Sequence, residues 1–217
     1  MREPQTPDRQ PSCEERTAAT GAKAPRTGRL PVGGQSPGQH SCSLTPAPLP
    51  LQIRPYRPGD WRAVWALLEP VFRAGETFPH DPAITEAEAQ LAWVEQSQAV
   101  MVAVDAAGAV LGTYYLRPNS LALGAHVANA GYVVAEHCRR QGIGSRLCQH
   151  SQRAARRLGF RAMQFNLVVS TNNAGIRCWQ RNGFQVVGTL PGAFRHRQLV
   201  YVDALVMIQG LVEGPKP

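Results

Sequence analysis

The chain has 217 residues, of which 43% are hydrophobic and 18% charged, with a formal net charge of +8. That length allows one ordinary domain with an appendage, and no apolar run is long enough to span a membrane. Five cysteines (Cys13, Cys42, Cys138, Cys148 and Cys178) form no C-x-x-C pair, which argues against a disulfide framework and a metal site and fits a reducing, cytoplasmic setting.

Residues 1–50 hold nine of the eighteen prolines and few large apolar side chains. Such a segment cannot bury enough surface to offset its ordering entropy, so a disordered extension is expected there. It is read as a floppy appendage or as a start assigned ahead of a domain beginning near Leu51. The domain is expected over 51–210, followed by a short tail over 211–217. The first 50 residues carry a net +2, leaving +6 for the remainder, much of it in Arg139, Arg140, Arg146, Arg153, Arg156, Arg157 and Arg161. Aromatic residues are not interleaved with these arginines. A polyanionic small ligand with a solvated basic face beyond it therefore explains them better than nucleic acid does.

Leu51–Tyr56 alternates as a short strand, and Asp60 caps a helix to about Arg73 that carries Trp61, Val64, Trp65 and Leu68 on one side. Gly75–Pro82 is a turn-rich loop. Thr85 and Glu88 make a capping box for a second helix with Leu91, Trp93 and Val94. Val100–Val104 and Val110–Leu116, joined by Asp105–Gly108, read as a hairpin. His126–Ala135 is the next strand. A helix from about Ile143 to Leu158 follows, with Ile143, Leu147, Ser151, Ala154 and Leu158 on one face. Ala162–Val169, Phe184–Val187 and Leu199–Met207 complete the strands, with a helix capped by Asn172 after the first of them.

Between the strand ending near Val134 and the helix lies Arg139-Arg140-Gln141-Gly142-Ile143-Gly144. A Gly-rich turn into a helix N-terminus leaves several N–H groups unpaired and aimed one way, a site for a diphosphate. Gly142 and Gly144 allow close approach to the backbone, and the arginines add charge-assisted bonds. The spacing is neither G-x-x-x-x-G-K-[ST] nor G-x-G-x-x-G. It is [Arg/Gln]-x-x-Gly-x-[Gly/Ala]. Downstream, Asn172, Ile176, Trp179, Gly183 and Phe184 fill a second pattern: Asn, an apolar residue four on, an aromatic seven on, then Gly-Phe.

In these two segments and their order the chain resembles the GCN5-related N-acetyltransferase (GNAT) superfamily. The resemblance implies an α/β fold with a mixed central sheet of about seven strands, splayed between its two central parallel strands and flanked by about four helices. It also implies acetyl-CoA as co-substrate and acetyl transfer from the thioester to an amine. By carry-over, Val133 and Val134 pair with pantetheine, Arg139, Arg140, Gln141, Gly142, Ile143, Gly144 and Ser145 hold the pyrophosphate, and Asn172 meets the cofactor arm. The position often held by a tyrosine general acid is Trp179, whose indole N–H is far too weak an acid. Tyr201, Tyr132 and Tyr114 are replacement candidates, and Glu136 or His126 the candidate base.

His126–Tyr132, Gln164–Val168, Ser170–Asn172, Gly75–Pro79 and Tyr201–Ala204 are similar to one subgroup of that superfamily, typified by a yeast enzyme that acetylates the proline analogue azetidine-2-carboxylate. That likeness implies a detoxifying enzyme in which Asn129 and Asn166, on inward strand faces, hold the carboxylate of a cyclic imino acid, with Phe78 at the substrate. Two other functions compete: acetylation of a protein or peptide, and acyl-CoA sensing without turnover. Closure of Gly75–Pro82 and Pro191–Gln198 over the cleft would exclude a peptide. A homodimer through the last strand is a further expectation of the superfamily.

Overall fold

The structure, a computed structural model, describes residues 51–212. The expectations for residues 1–50, and for the tail beyond Val212, lie outside the described residues. The elements in chain order are β1 (Gln52–Pro55), α1 (Trp61–Ala74), α2 (Glu86–Gln90), β2 (Ala99–Val104), β3 (Val110–Pro118) and β4 (Val127–Val134). They continue with α3 (Ile143–Arg157), β5 (Ala162–Val169), α4 (Asn173–Arg181), β6 (Gln185–His196) and β7 (Val200–Gly210). The strands form one seven-stranded sheet in the order β1-β2-β3-β4-β5-β7-β6.

Local chemistry sets these elements. Arg54 grips the carboxylate of Asp60 through two N–H···O bonds of 2.7 and 2.8 Å and so ties β1 to the start of α1. Val64, Leu68 and Phe72 recur at helical spacing and are buried, and Gly75 ends the helix at φ +62°. The capping box of α2 forms as the sequence predicts, with the Glu88 amide donating to Thr85 Oγ1 and the Thr85 amide donating to Glu88. A π-helical turn, Leu91–Glu95, then swings Trp93 into the core.

The sheet has two packed faces. On one, α1 and Trp93 cover Val102, Val104, Tyr115 and Val133. On the other, Ile143, Leu147, Cys148 and Ala154 of α3 pack on Tyr114, Leu116, Ala128, Met163 and Phe165. Leu158, expected on the buried face of α3, lies beyond the helix end and is 41% exposed.

All strand pairs are antiparallel except β4–β5, which is parallel and short. It is registered only at Val127↔Ala162 and Ala128↔Met163, after which the two strands part. This fork is the splay that the sequence motifs imply. The largest departure from the expected elements is β6, which runs twelve residues and not four, taking in the Pro191–Gln198 stretch as far as His196. Thr189-Leu190-Pro191-Gly192 reads as a strand end. Register shifts between Leu190 and Phe194 absorb Pro191 and Gly192 instead, and the Gly192 amide donates to Asp203. Leu211, in the stretch read as tail, is buried, and its amide donates to the Arg161 carbonyl.

Candidate active site

The fork is best read from its hydrogen bonds. On its β3 side, Ala135 N donates to Leu111 O, and Asn119 N donates to Val127 O. With the β3–β4 register, strand alternation assigns the peptide groups of Asn129, Gly131 and Val133 to β3. Those of Ala130, Tyr132 and Val134 face the gap, where β5 has withdrawn. Val134 therefore offers a free strand edge to an extended amide-bearing ligand, whereas the N–H and C=O of Val133 point away from it. Tyr132 is the residue that joins Val134 on this edge, a difference of phase the motif alone does not reveal.

At the open end of the fork the chain passes through a 3-10 turn, Glu136–Cys138, into the glycine loop. Arg140 and Gly142 both take positive φ, +65° and +78°, which curls the loop into the start of α3. A Cβ placed on Gly142 would meet nothing within 4 Å, so its neighbourhood is open. No side chain caps α3, whose first intrahelical bond runs from Arg146 N to Gly142 O. The amides of Ile143, Gly144 and Ser145 precede that bond and keep their donors for an anion. Arg139 and Arg140 are exposed at the rim, Arg139 lying 3.6 Å from Glu136. Gln141 Nε2 donates to His137 O and closes the loop. The Ser145 hydroxyl faces α4, sharing hydrogen bonds with Asn182, so Ser145 contributes through its amide.

Asn172 caps α4, accepting from Gly175 N at 3.0 Å. Trp179 lies half-buried against Tyr132 and Phe165, ring centroids 4.8 and 5.2 Å away, bridging the two parted strands from below. The tyrosines of this face are poor acids. Burial pushes Tyr114 and Tyr132 upward, and their hydroxyls are tied to His150 Nδ1 and Ser151 Oγ. Of the other catalytic candidates, Glu136 stands beyond the end of β4 with its side chain 88% exposed, His126 sits at the closed end, and Tyr201 is 64% exposed on the β6–β7 hairpin.

The closed end of the fork carries a different chemistry. One step past the last β4–β5 backbone pair, Asn129 Nδ2 donates to Gln164 O at 3.0 Å, and its Oδ1 accepts from the Tyr115 hydroxyl. Asn129 thus replaces the ladder where the strands separate. Asn166 is exposed, not inward among apolar neighbours as the sequence suggests; it donates to Asn119 Oδ1 and accepts from Gln164 Nε2. Alternation along β5 puts it on the polar, open side of the fork, where Asn119 after β3 meets it. Above them Phe78 packs edge-on to Phe72 and Trp93, and its Cε1 would lie 3.2 Å from a Cβ on Gly131. His80 tilts against Phe72, 4.6 Å between centroids; burial, then the charge of Arg117, holds its pKa below the usual histidine value.

The loop that carries Phe78 and His80 is tied to a distant segment. Arg197 N donates to Gly75 O at 3.2 Å, Arg197 Nη1 to Arg73 O at 2.6 Å, and Gln198 Nε2 to Glu76 at 3.3 Å. Arg73 also donates to Pro82 O across the same loop. The β6–β7 turn and the Gly75–Pro82 loop are thereby stitched together. The sequence singled out both segments and the Gln164–Val168 stretch, yet Tyr115, Arg117 and Asn119 carried no pattern that marked them; only the register of β3 against β4 brings them to this end of the fork.

A forked parallel pair with a glycine loop at one mouth and a polar-aromatic chamber at the other defines a thioester-dependent acyl transferase. Residues 61–184 match the model of the Acetyltransferase (GNAT) family, and the chain belongs to that family. It is 30% identical over 148 residues to N-acetyltransferase aca1 of Schizosaccharomyces pombe, covering 61% of this chain and 71% of that protein. Among solved structures, a GCN5-related N-acetyltransferase from Kribbella flavida is 43% identical, with a TM-score of 0.70 over 74% of this chain and 97% of its own. A phosphinothricin acetyltransferase from Sinorhizobium meliloti in complex with acetyl-CoA shares the fold, at 21% identity and a TM-score of 0.68 over 77% of this chain and 92% of its own.

The chain is an acetyl-CoA-dependent N-acetyltransferase. Its residues fit the co-substrate: an open αL glycine before an uncapped helix suits a pyrophosphate, and the bare edge of β4 suits the pantetheine amides. Among the described residues, no helix is long and apolar enough to cross a membrane.

Proposed function

We propose that the acceptor is a small amine, with amino and imino acids the first class to test. The observation that carries this is the tie between Arg197 and Gln198 and Arg73, Gly75 and Glu76, which fixes the β6–β7 turn to the loop whose Phe78 reaches Gly131 of the fork, two segments that an extended peptide would have to part. Phe78 and the carboxamides of Asn129 and Asn166 face this end, in keeping with the azetidine-2-carboxylate subgroup that the sequence resembles. A detoxifying role goes with that subgroup, and the free cysteines Cys138, Cys148 and Cys178 fit a reducing, cytoplasmic setting.

The acetyl group arrives on the coenzyme A thioester, held by the amides of Ile143, Gly144 and Ser145 and along Val134 and Tyr132; the Arg139 amide, which the motif also offered, already donates to Glu136 O. The neutral amine adds to the thioester carbon, the C–S bond breaks, and the amine nitrogen gives up a proton. That proton leaves to solvent or to the imidazole of His80, which burial keeps neutral at pH 7. Trp179 cannot protonate the sulfur, and the nearby tyrosines are pushed upward, so the thiolate departs unaided; a thiolate is a far weaker base, and so a better leaving group, than the deprotonated amine nitrogen. Glu136 and Tyr201 remain candidate proton carriers at the rim.

Acetyl transfer to azetidine-2-carboxylate, proline, hydroxyprolines, polyamines and short peptides, followed by mass spectrometry, tests this reading. Transfer to small amines and not peptides is expected. Turnover of peptides alone overturns it.

A further inference from the structure

We infer that Arg117 is the anion anchor of the acceptor site, so that the enzyme selects amines bearing a carboxylate and holds that carboxylate on the Arg117 guanidinium. The inference rests on the small-amine function above and names the feature of the acceptor that the site reads.

The guanidinium is built in place. Arg117 lies opposite Asn129 in the β3–β4 register and two residues past Tyr115, so all three share one face of the sheet. Its Cζ sits 4.8 Å from the centroid of the Tyr115 ring, and Nη2 stands 3.5 Å from the Tyr115 hydroxyl oxygen. Tyr115 is itself fixed, buried edge-on to Trp93 with its hydroxyl donating to Asn129. The aromatic face holds the arginine by a cation–π contact and leaves the edge of its planar donor fork available.

The charge has no counterion. Among the described residues the ion pairs are Arg54–Asp60, Arg73–Glu69 and Arg139–Glu136, none of them at the fork. The groups around the fork are the neutral carboxamides of Asn119, Asn129, Gln164 and Asn166, which bond chiefly to one another, to Tyr115 and to backbone. A half-buried cation surrounded by satisfied neutral groups lowers its free energy by taking an anion, and a guanidinium takes a carboxylate in two parallel bonds. The charge also contributes, after burial, to holding the His80 pKa below the usual histidine value.

This division of labour changes the role of the two asparagines. Asn129, bonded on both sides, shapes the fork. Asn166 lines the rim. The charge that distinguishes an amino acid from an amine comes from β3.

The test compares acid and carboxamide forms of one amine: azetidine-2-carboxylate, proline and glycine, each with its amide. Binding to the full chain saturated with coenzyme A is measured by calorimetry at pH 7, where each amine is protonated in both forms. At least one acid should bind about 10- to 100-fold more tightly than its amide, the size of a charge-assisted hydrogen-bond contribution. Arg117→Gln should erase that gap, and Arg117→Lys should keep part of it, with acetyl-CoA affinity unchanged in both variants as the measure of an intact fold. Equal binding of acid and amide across the panel, or a gap that survives Arg117→Gln, overturns the inference. Acetyl transfer by the wild type is scored separately. Carboxylate-selective binding with no transfer to any amine overturns the small-amine enzyme while leaving the anchor standing, whereas transfer with no acid preference does the reverse.

Discussion

The two mouths of the β4–β5 fork are built by opposite means. The cofactor mouth is contiguous: one strand edge, one loop and one helix start, all within residues 132–146, present mostly backbone groups. The proposed acceptor mouth draws side chains from the α1–α2 loop, β3, β4 and β5, with the β6–β7 turn bonded to that loop. Backbone donors accept any residue with the right φ, so the first mouth is written as a short glycine pattern. Side chains gathered through the sheet leave no short pattern, so the second is free to vary with the substrate.

The largest expected effect breaks the cofactor mouth alone. Gly142→Trp places a bulky group where a pyrophosphate must come within hydrogen-bonding reach. Losing two charge-assisted bonds should weaken acetyl-CoA by about 100-fold or more. The open surroundings of Gly142 and its φ of +78° predict only a small drop in melting temperature from backbone strain. Unchanged affinity in calorimetry removes the pyrophosphate assignment.

Gly131→Ala strikes the partition between the mouths. Its Cβ would stand 2.5 Å from Tyr115 Cε1, and that ring is buried against Trp93. Overpacking of this kind costs about 1–3 kcal/mol, or about 2–4 °C of melting temperature per kcal/mol in a domain of this size. The acceptor KM should rise more than that for acetyl-CoA; a silent substitution would mean that Tyr115 is free to move.

The acceptor mouth can be divided further. Asn129→Ala strips a donor from Gln164 O and an acceptor from the Tyr115 hydroxyl, so a loss of about 1–3 kcal/mol in stability is expected. Asn166→Ala, exposed and bonded only to neighbouring carboxamides, should leave the melting temperature in place and change the acceptor KM alone. Equal thermal losses in the two variants would erase the distinction between shaping and lining.

These elements also show what the sequence makes legible. The glycine loop, the Asn172 cap, the α2 capping box and the splay are local or follow from motif order, and all appear where expected. The phase of the free edge was not legible, because whether Val133 or Val134 faces the gap depends on β3 pairing. Nor was the length of β6, since Pro191 and Gly192 signal a turn but sit in a bulge whose partner, Asp203, is eleven residues on. Arg117 reads as an ordinary strand-end arginine until the register sets it opposite Asn129.

The smallest effect is a pH dependence. His80 is held below its ordinary pKa by burial and then by Arg117, so the folded state binds fewer protons there than the unfolded chain. Stability from this group is complete above the unfolded value of about 6.5 and falls as pH drops through it toward the folded pKa. His80→Gln should flatten that part of the stability profile in denaturant titrations between pH 7 and 5. Arg117→Gln should raise the His80 pKa by NMR, while burial keeps it below the ordinary value.

The most direct measurement of the central claim is acetyl transfer by the purified full chain, read by mass spectrometry on a panel of small amines and peptides. Acetylation of a small carboxylated amine, with peptides untouched, is the predicted result. Acetyl-CoA binding accompanied by transfer to peptides alone, or by no transfer to any amine, would contradict it.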